Sequence, residues 1–183
     1  KTYFSTMGCR TANGWDINGM GQTKDGRGNI CPVTIIMPTL AMEAKGSTLK
    51  DSEPFREDLE GLAIDKFMDL LDQKIHEAKD MLIERFDYIC SQPAASAKFM
   101  YENNVMAGYD GKTTRSALKH GTLAIGQLGL AETLQILIGQ DHTTPEGMKL
   151  AKQIEQLFKD RCAEFKKQYS LNFGVYYTPA ENL

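Results

Sequence analysis

The sequence predicts an α/β fold with a parallel component in its sheet. Residues 30–37 form a nearly continuous apolar run rich in β-branched side chains, which is typical of a strand covered on both faces. Two long stretches carry apolar residues at helical spacing, and the order strand, helix, strand, helix, helix, strand is that of α/β proteins. Right-handed crossovers are expected between the parallel strands.

Composition and length predict one soluble partial domain over residues 1–183. The chain is 42% hydrophobic and 25% charged, and its net charge of −3 gives no footprint for nucleic-acid binding. No apolar run reaches the roughly 18 residues of a membrane span, so no membrane-spanning segment is expected. Because the sequence starts with Lys1 and its last residues read as the beginning of a helix, we expect a piece of a larger protein.

The four cysteines are Cys9, Cys31, Cys90 and Cys162. None forms a C-x-x-C pair and the histidines are distant in sequence, so we expect no metal site. A disulfide framework is also not expected, and the reduced thiols of a cytoplasmic protein are the simplest interpretation.

Cys9 lies in a turn between Gly8 and Arg10, after an apolar strand-like run. Residues 13–29 follow with three Asn-Gly or Asp-Gly pairs, which predict a glycine-rich hairpin. A reactive thiol on a tight loop fits this pattern, and so does an inert thiol beside a plain hairpin.

A long helix is predicted over residues 51–92, starting at Asp51 or Ser52 with Pro54 in its first turn. Pro93 stops it, and at about 1.5 Å per residue it approaches 50 Å. Its length suits the outer layer of a barrel or a dimer interface. Its apolar stripe is Leu59, Leu62, Ala63, Phe67, Leu70, Leu71, Ile75, Ala78, Leu82, Phe86 and Ile89.

Residues 120–183 are predicted to form a strand, two helices and a strand, with strands at 122–128 and 171–177. The spacing of Gly126 and Gly129 predicts close approach to the backbone. His120 precedes the first of these strands, where a surface or capping role is favoured over a site. The second helix starts at residues 143–146, and its stripe is Leu150, Ala151, Ile154, Leu157, Phe158, Cys162, Phe165 and Tyr169.

Six short blocks, in order, carry a resemblance to a known family. They are Ser-Thr-Met-Gly-Cys-Arg-Thr (5–11), Gly-Arg-Gly-Asn-Ile (26–30), Val-Thr-Ile-Ile-Met-Pro (33–38), Lys-His-Gly-Thr-Leu (119–123), Gly-Leu-Ala-Glu (129–132) and Gly-Val-Tyr-Tyr-Thr-Pro-Ala-Glu-Asn (174–182). Together they resemble the anaerobic (class III) ribonucleoside-triphosphate reductases across the whole chain. The chain departs from the family pattern at Ile36, Met37, Thr39 and Gln127.

The resemblance implies part of a ten-stranded α/β barrel of the glycyl-radical enzyme and ribonucleotide reductase type, with residues 1–39 as finger loop and strand. It implies that Cys9 carries the thiyl radical that abstracts the ribose 3′-hydrogen of a ribonucleoside triphosphate, whose 2′-hydroxyl is then removed. It places Asn29 beside Cys9, as a hydrogen-bond partner of the ribose. A simple turn role for Asn29 stays open.

The resemblance also implies components outside this chain, so the fragment alone is not expected to turn over. These are a glycyl radical on a C-terminal segment, a thiol or formate as electron donor, a zinc site elsewhere in the full-length family protein, and an iron–sulfur activating enzyme that uses S-adenosylmethionine. The intact protein is expected to be a homodimer.

Residues 178–182 are predicted to start a helix, and the resemblance places this turn at the substrate pocket. Thr178 is a natural N-cap, and Glu181 completes a capping box. The amides near Ala180, Glu181 and Asn182 would hold a substrate phosphate. An ordinary cap, with Glu181 occupying those amides itself, is the alternative.

Two other functions remain possible from the sequence. One is a glycyl-radical lyase or acyltransferase with the same barrel, and the other is a non-catalytic barrel domain that binds a nucleotide.

Overall fold

The computed structural model describes residues 14–51 and 58–179 of the chain. Its sheet has three parallel strands, β1 (Asn29–Ile36), β2 (Thr122–Leu128) and β3 (Asn172–Tyr177), in the order β1-β2-β3. Parallel strands need crossover connections, and helices supply them here. The predicted α/β class with parallel strands is confirmed.

Helices follow each of the first two strands. Their bounds are α1 (Met37–Asp51), α2 (Leu59–Ser91), a 3₁₀ turn (Ala94–Ala97), α3 (Lys98–Glu102), α4 (Thr114–Leu118), α5 (Leu130–Ile138) and α6 (Pro145–Tyr169). In the described part of the chain, none of them is long and apolar enough to cross a membrane.

The core lies between the helices and one face of the sheet. The predicted stripe of α2 is buried at Ala63, Phe67, Leu71, Ile75, Ala78, Leu82 and Phe86, and that of α6 at Leu150, Ala151, Ile154, Phe158, Cys162 and Phe165. The centre of each stripe is therefore confirmed, because helical spacing determines which side chains share a face. The predicted stripe of α2 is wrong at Leu59, which is exposed at the start of the helix.

The predicted helix start at Asp51 is wrong. Asp51 is the last residue of α1, and α2 begins at Leu59. The N-cap of α2 is Asp58, whose carboxylate accepts a 2.7 Å hydrogen bond from the Gly61 amide. Helix α1 itself was not predicted, because its Gly46-Ser-Thr sequence reads as a break and Pro38 as the end of a strand.

The second half of the chain matches the prediction closely. Helix α6 has Thr144 as its N-cap, whose hydroxyl accepts from the Gly147 amide, and Pro145 fits its first turn.

The predicted glycine-rich hairpin is also present, as an antiparallel bridge between Asp16 and Gly21. Residues 14–28 form this hairpin and lead into β1.

Candidate active site

The two faces of the sheet differ in what they carry. Successive residues of a strand point to opposite faces, so residues paired across the strands share a face. Cys31 faces α2, since its thiol lies 3.7 Å from the Leu82 carbonyl, and Phe173 contacts Phe165 of α6. The opposite face carries the row formed by Thr34, Gly126 and Tyr176.

Three hydroxyls meet on that opposite face. The Thr34 hydroxyl lies 2.9 Å from the Tyr176 hydroxyl and 2.8 Å from the Thr178 hydroxyl. They meet across the middle strand because Gly126 has no side chain; a Cβ at this position would lie 2.6 Å from the Thr178 oxygen. The predicted close approach at Gly126 is confirmed. We call Thr34, Tyr176 and Thr178 the hydroxyl cluster.

The hydroxyl cluster lies toward the carboxyl end of the strands. The Thr178 amide donates a 3.0 Å hydrogen bond to the Gln127 carbonyl, so β3 keeps its alignment beyond Tyr177. A hydroxyl both donates and accepts, which suits the polar groups of a sugar or a phosphate ester. Thr178 is therefore a predicted site residue that the structure brings together with other polar groups.

Asn29 lies at the other end of the sheet. Asn29 is the first residue of β1 and pairs with Thr122 at the start of β2. Thr178 is level with Leu128 at the end of β2, six residues further along that strand. At about 3.3 Å per residue, about 20 Å separate the two levels. Asn29 and Thr178 thus lie at opposite ends of the sheet, and the role of each at the substrate stays a prediction.

Four predicted site residues, Cys9, Ala180, Glu181 and Asn182, lie outside the described residues. Their roles stay predictions, as does a capping role for Thr178. The Thr178 hydroxyl bond to Thr34 leaves the oxygen a further lone pair, so such a cap is compatible with the hydroxyl cluster.

A buried polar cluster at the amino ends of the strands was not predicted. Asp16 of the hairpin is 1% exposed, and its carboxylate lies 2.8 Å from His120 Nδ1 and 2.8 Å from Asn172 Nδ2. A carboxylate only accepts, so His120 Nδ1 must donate. The favoured surface or capping role of His120 is wrong, because its side chain is buried between the hairpin and Gly108.

Electrostatics keeps Asp16 ionised. Burial on its own raises the pKa of Asp16, but hydrogen bonds from the Asn172 side chain, the Asn18 amide, His120 and the Met20 amide together lower it to about 2. The pKa of Arg27, which is buried beside the cluster, is lowered, because the effect of burial exceeds the opposing effect of the Asp16 charge.

A second polar group lies on the helical face at the carboxyl end. Gln127 donates from Nε2 to Glu155 Oε1 at 2.6 Å, and the Tyr177 hydroxyl donates to Glu155 Oε2 at 2.9 Å. Burial and the Glu155 carboxylate raise the pKa of Tyr177. Gln127, one of the departures from the family pattern, is thus accommodated by a partner on α6.

Metal ligands are not grouped in the part of the chain that the structure describes. Residues 14–51 and 58–179 contain no set of three or more His, Cys, Asp or Glu side chains that could hold a metal ion. The three cysteines in these residues are free thiols.

Known proteins resemble this chain along its full length. The sequence model described as anaerobic ribonucleoside-triphosphate reductase matches residues 1–183. The anaerobic ribonucleoside-triphosphate reductases of Escherichia coli K12 and Enterobacteria phage T4 are 27% and 25% identical, covering 100% and 98% of this chain. The same alignments cover 24% and 27% of those proteins, so the chain spans about a quarter of their length.

Solved structures resemble its fold. The anaerobic ribonucleotide reductase from Thermotoga maritima, crystallised with dATP bound in the specificity site, has a TM-score of 0.64 at 18% identity. That match covers 85% of this chain and 23% of the Thermotoga chain. A second Thermotoga structure, with citrate in the active site, has a TM-score of 0.63 at 18% identity over 86% of this chain and 25% of that one. Because the family match covers every residue of the sequence, this chain belongs to the anaerobic ribonucleoside-triphosphate reductase family.

Proposed function

We propose that the chain is the part of an anaerobic ribonucleoside-triphosphate reductase that carries its radical cysteine, Cys9. The observation that supports this most is the family match over residues 1–183, which includes the Ser-Thr-Met-Gly-Cys-Arg-Thr block around Cys9. The reaction is the reduction of a ribonucleoside triphosphate to its 2′-deoxy form. The lyase and binding-only alternatives have no observation in their favour.

In this reaction the Cys9 sulfur, as a thiyl radical, would take the hydrogen atom from the ribose 3′-carbon. A sulfur–hydrogen bond forms as the carbon–hydrogen bond breaks, and the radical passes to the sugar. The 2′-hydroxyl would then take up a proton and leave as water. A thiol or formate would supply two electrons, and a second proton would complete the 2′-carbon. Cys9 would return its hydrogen atom to the 3′-carbon, which regenerates the thiyl radical. A glycyl radical on a segment beyond this chain would supply the oxidising equivalent for Cys9. Such chemistry needs a rigid, water-excluding site.

The hydroxyl cluster and the 178–182 turn would bind the substrate at the carboxyl end of the strands. Ligands of α/β proteins favour this end, because helix N-termini and loops gather there. Thr34, Tyr176 and Thr178 supply hydroxyls, and the amides near Ala180, Glu181 and Asn182 would hold a phosphate. A phosphate farther than hydrogen-bond distance from all three amides in a substrate complex would contradict this assignment.

The intact protein would complete a ten-stranded barrel from the three-stranded sheet described here. Among the described residues, β1 and β3 are the outer strands of that sheet, so each has an edge where a further strand could pair. We further propose a homodimer, a cytoplasmic location and activation by an S-adenosylmethionine-dependent iron–sulfur enzyme.

Replacing Cys9 by serine in the full-length protein tests the function. The variant should form the glycyl radical on activation, seen by electron paramagnetic resonance, but produce no deoxynucleotide. Cys90→Ser is a matched control, because Cys90 is half-buried on α2, and it should keep its activity. Deoxynucleotide production by Cys9→Ser would refute the proposed role.

A further inference from the structure

Four buried side chains hold the hairpin of residues 14–28 onto the sheet: Asp16, Arg27, His120 and Asn172. We call them the hairpin clamp. We propose that the hairpin clamp positions the segment that carries Cys9, with His120 and Arg27 as positioning residues for the radical step. This inference rests on the proposed function of Cys9 but is tested separately from it below.

Asp16 joins the hairpin to the starts of two strands. Its Oδ1 accepts from Asn172 Nδ2 at 2.8 Å and from the Asn18 amide at 3.0 Å. Its Oδ2 accepts from His120 Nδ1 at 2.8 Å and from the Met20 amide at 3.0 Å. One ionised carboxylate thus fixes the hairpin turn, His120 two residues before β2, and the first residue of β3. Hydrogen bonds to a charged acceptor are the strong ones in proteins.

Arg27 joins three separate stretches of backbone. Its Nε donates to the His120 carbonyl at 2.6 Å, and its Nη1 donates to the carbonyls of Thr23 at 2.7 Å and Gly14 at 3.1 Å. The side chain is 5% exposed. The planar guanidinium presents several donors in one fixed fork, which a lysine ammonium does not. Arg27 therefore holds two stretches of the hairpin backbone against His120, two residues before β2.

Gly14 links the hairpin clamp to Cys9. Cys9 lies five residues before Gly14, and an extended chain spans at most about 3.6 Å per residue. Gly14, whose carbonyl a buried arginine holds in place, is thus the described residue nearest to Cys9 in the sequence. In enzyme reactions a misplacement of about 1 Å can cost on the order of a hundredfold in rate, so a fixed origin for this segment has catalytic value.

The hydrogen bond of His120 offers a sharp test, because two substitutions separate hydrogen bonding from packing. His120→Asn keeps an N–H donor at the Nδ1 position but leaves space behind it. His120→Gln fills the space better but moves its donor one bond further, away from Asp16. A packing role predicts that Gln is the milder change, whereas positioning through Asp16 predicts that Asn is. His142→Gln, at an exposed histidine, is the matched control.

The variants would be made in the full-length protein and measured well below their unfolding temperatures. We expect His120→Gln to lower kcat about tenfold with little change in KM and an unchanged glycyl-radical yield, and His120→Asn to be several-fold more active. Arg27→Lys, which keeps the charge but loses the fork, should also lower kcat. A kcat of His120→Gln equal to that of His142→Gln would overturn the proposal.

A readout without turnover keeps this test independent of the proposed function. In the non-activated protein, alkylation of Cys9 by iodoacetamide is followed by peptide mass spectrometry, with buried Cys162 as the reference for unfolding. We expect His120→Gln to alkylate at Cys9 about tenfold faster than wild type, with Cys162 unchanged. Equal Cys9 rates would overturn the proposal. If the wild type makes no deoxynucleotide, the proposed function fails, and the alkylation rates still decide the role of the hairpin clamp.

Discussion

At the scale of single residues, Asp16 shows how a buried charge becomes favourable. Moving a carboxylate out of water is costly unless hydrogen bonds replace the lost hydration. Four donors do so here, from the side chains of Asn172 and His120 and from the amides of Asn18 and Met20. Their combined effect exceeds the burial that would raise the pKa of Asp16, which is why that pKa falls to about 2.

This shift predicts an acid-dependent loss of stability. The pKa of Asp16 is lower in the folded chain than its ordinary value of 3.8, so its contribution is complete above that value and is lost as pH falls through about 2. The difference amounts to about 2 kcal/mol in the free energy of unfolding. Asp16→Asn lacks this ionisation and should lose about 2 kcal/mol less than wild type between pH 5 and 2.

Denaturant unfolding at several pH values measures this difference. Other acids, such as Asp110, titrate in both proteins, so their effects cancel in the comparison. Parallel curves of stability against pH for the two proteins would show that Asp16 does not keep its low pKa in the folded state.

Two thiols are predicted to be unreactive in the folded chain. Burial raises the pKa of Cys31 and of Cys162 to about 11 each, and both side chains are about 95% buried. The reactive thiolate is then about a thousandth of each thiol at pH 8. Iodoacetamide at pH 8 should leave both unlabelled without denaturant and label both in its presence. Labelling of Cys162 at equal rates in the two conditions would contradict its place in the core.

At the scale of elements, Gly126 determines what the face of β2 opposite the helices can hold. A Cβ there would meet the Thr178 hydroxyl and the Tyr176 ring, both at 2.6 Å. Gly126→Ala should therefore separate the hydroxyl cluster and destabilise the chain by about 1–3 kcal/mol, as overpacking does. Gly46→Ala is the control, because nothing lies within 4 Å of its added Cβ and alanine favours the helix by up to about 1 kcal/mol.

Thermal unfolding of both variants measures this contrast. The unfolding temperature should fall for Gly126→Ala and stay level or rise for Gly46→Ala. If the two substitutions had the same effect, the close contact over Gly126 would not be a property of the folded protein.

The sequence predicted those elements whose signals are local. Helical spacing located the buried faces of α2 and α6, and Thr144 with Pro145 located the start of α6. Helix α1 was missed because Pro38 reads equally as a strand end and as a first helical residue. Gly46 then interrupts the helical spacing of apolar residues in α1. Packing of α1 against α2 and α5 compensates for the lower helix propensity of this glycine.

The candidate site was harder to predict, because its contacts join distant parts of the sequence. Asp16 and His120 are 104 residues apart, and no spacing rule connects them. The separation of Asn29 from Thr178, in contrast, was within reach of the sequence. Asn29 precedes a strand and Thr178 follows one, and the starts and ends of parallel strands lie at opposite edges of a sheet.

At the scale of the whole molecule, the sheet has two outer strands among the described residues, β1 and β3. Beside β1 runs a groove lined mainly by apolar side chains, including Val33, Ile36, Leu40 and Met81. Ile36 is 51% exposed and Met81 46% exposed. In a longer protein these surfaces would be covered by further strands and helices, as the proposed barrel requires.

The isolated 183-residue chain is therefore predicted to self-associate. Outer strands with free backbone groups recruit other chains, and exposed apolar side chains beside them strengthen the contact. Sedimentation velocity over a range of concentrations should show dimers or larger species whose share grows with concentration.

The Ile36→Lys variant tests the outer strand directly. Natural proteins place charges on outer strands to block such pairing, so this variant should shift the chain toward the monomer. Val105→Lys, a matched charge at an exposed apolar residue outside this groove, should shift it less. A wild-type chain that stays monomeric at high concentration would contradict both the open sheet edges and the larger barrel inferred from them.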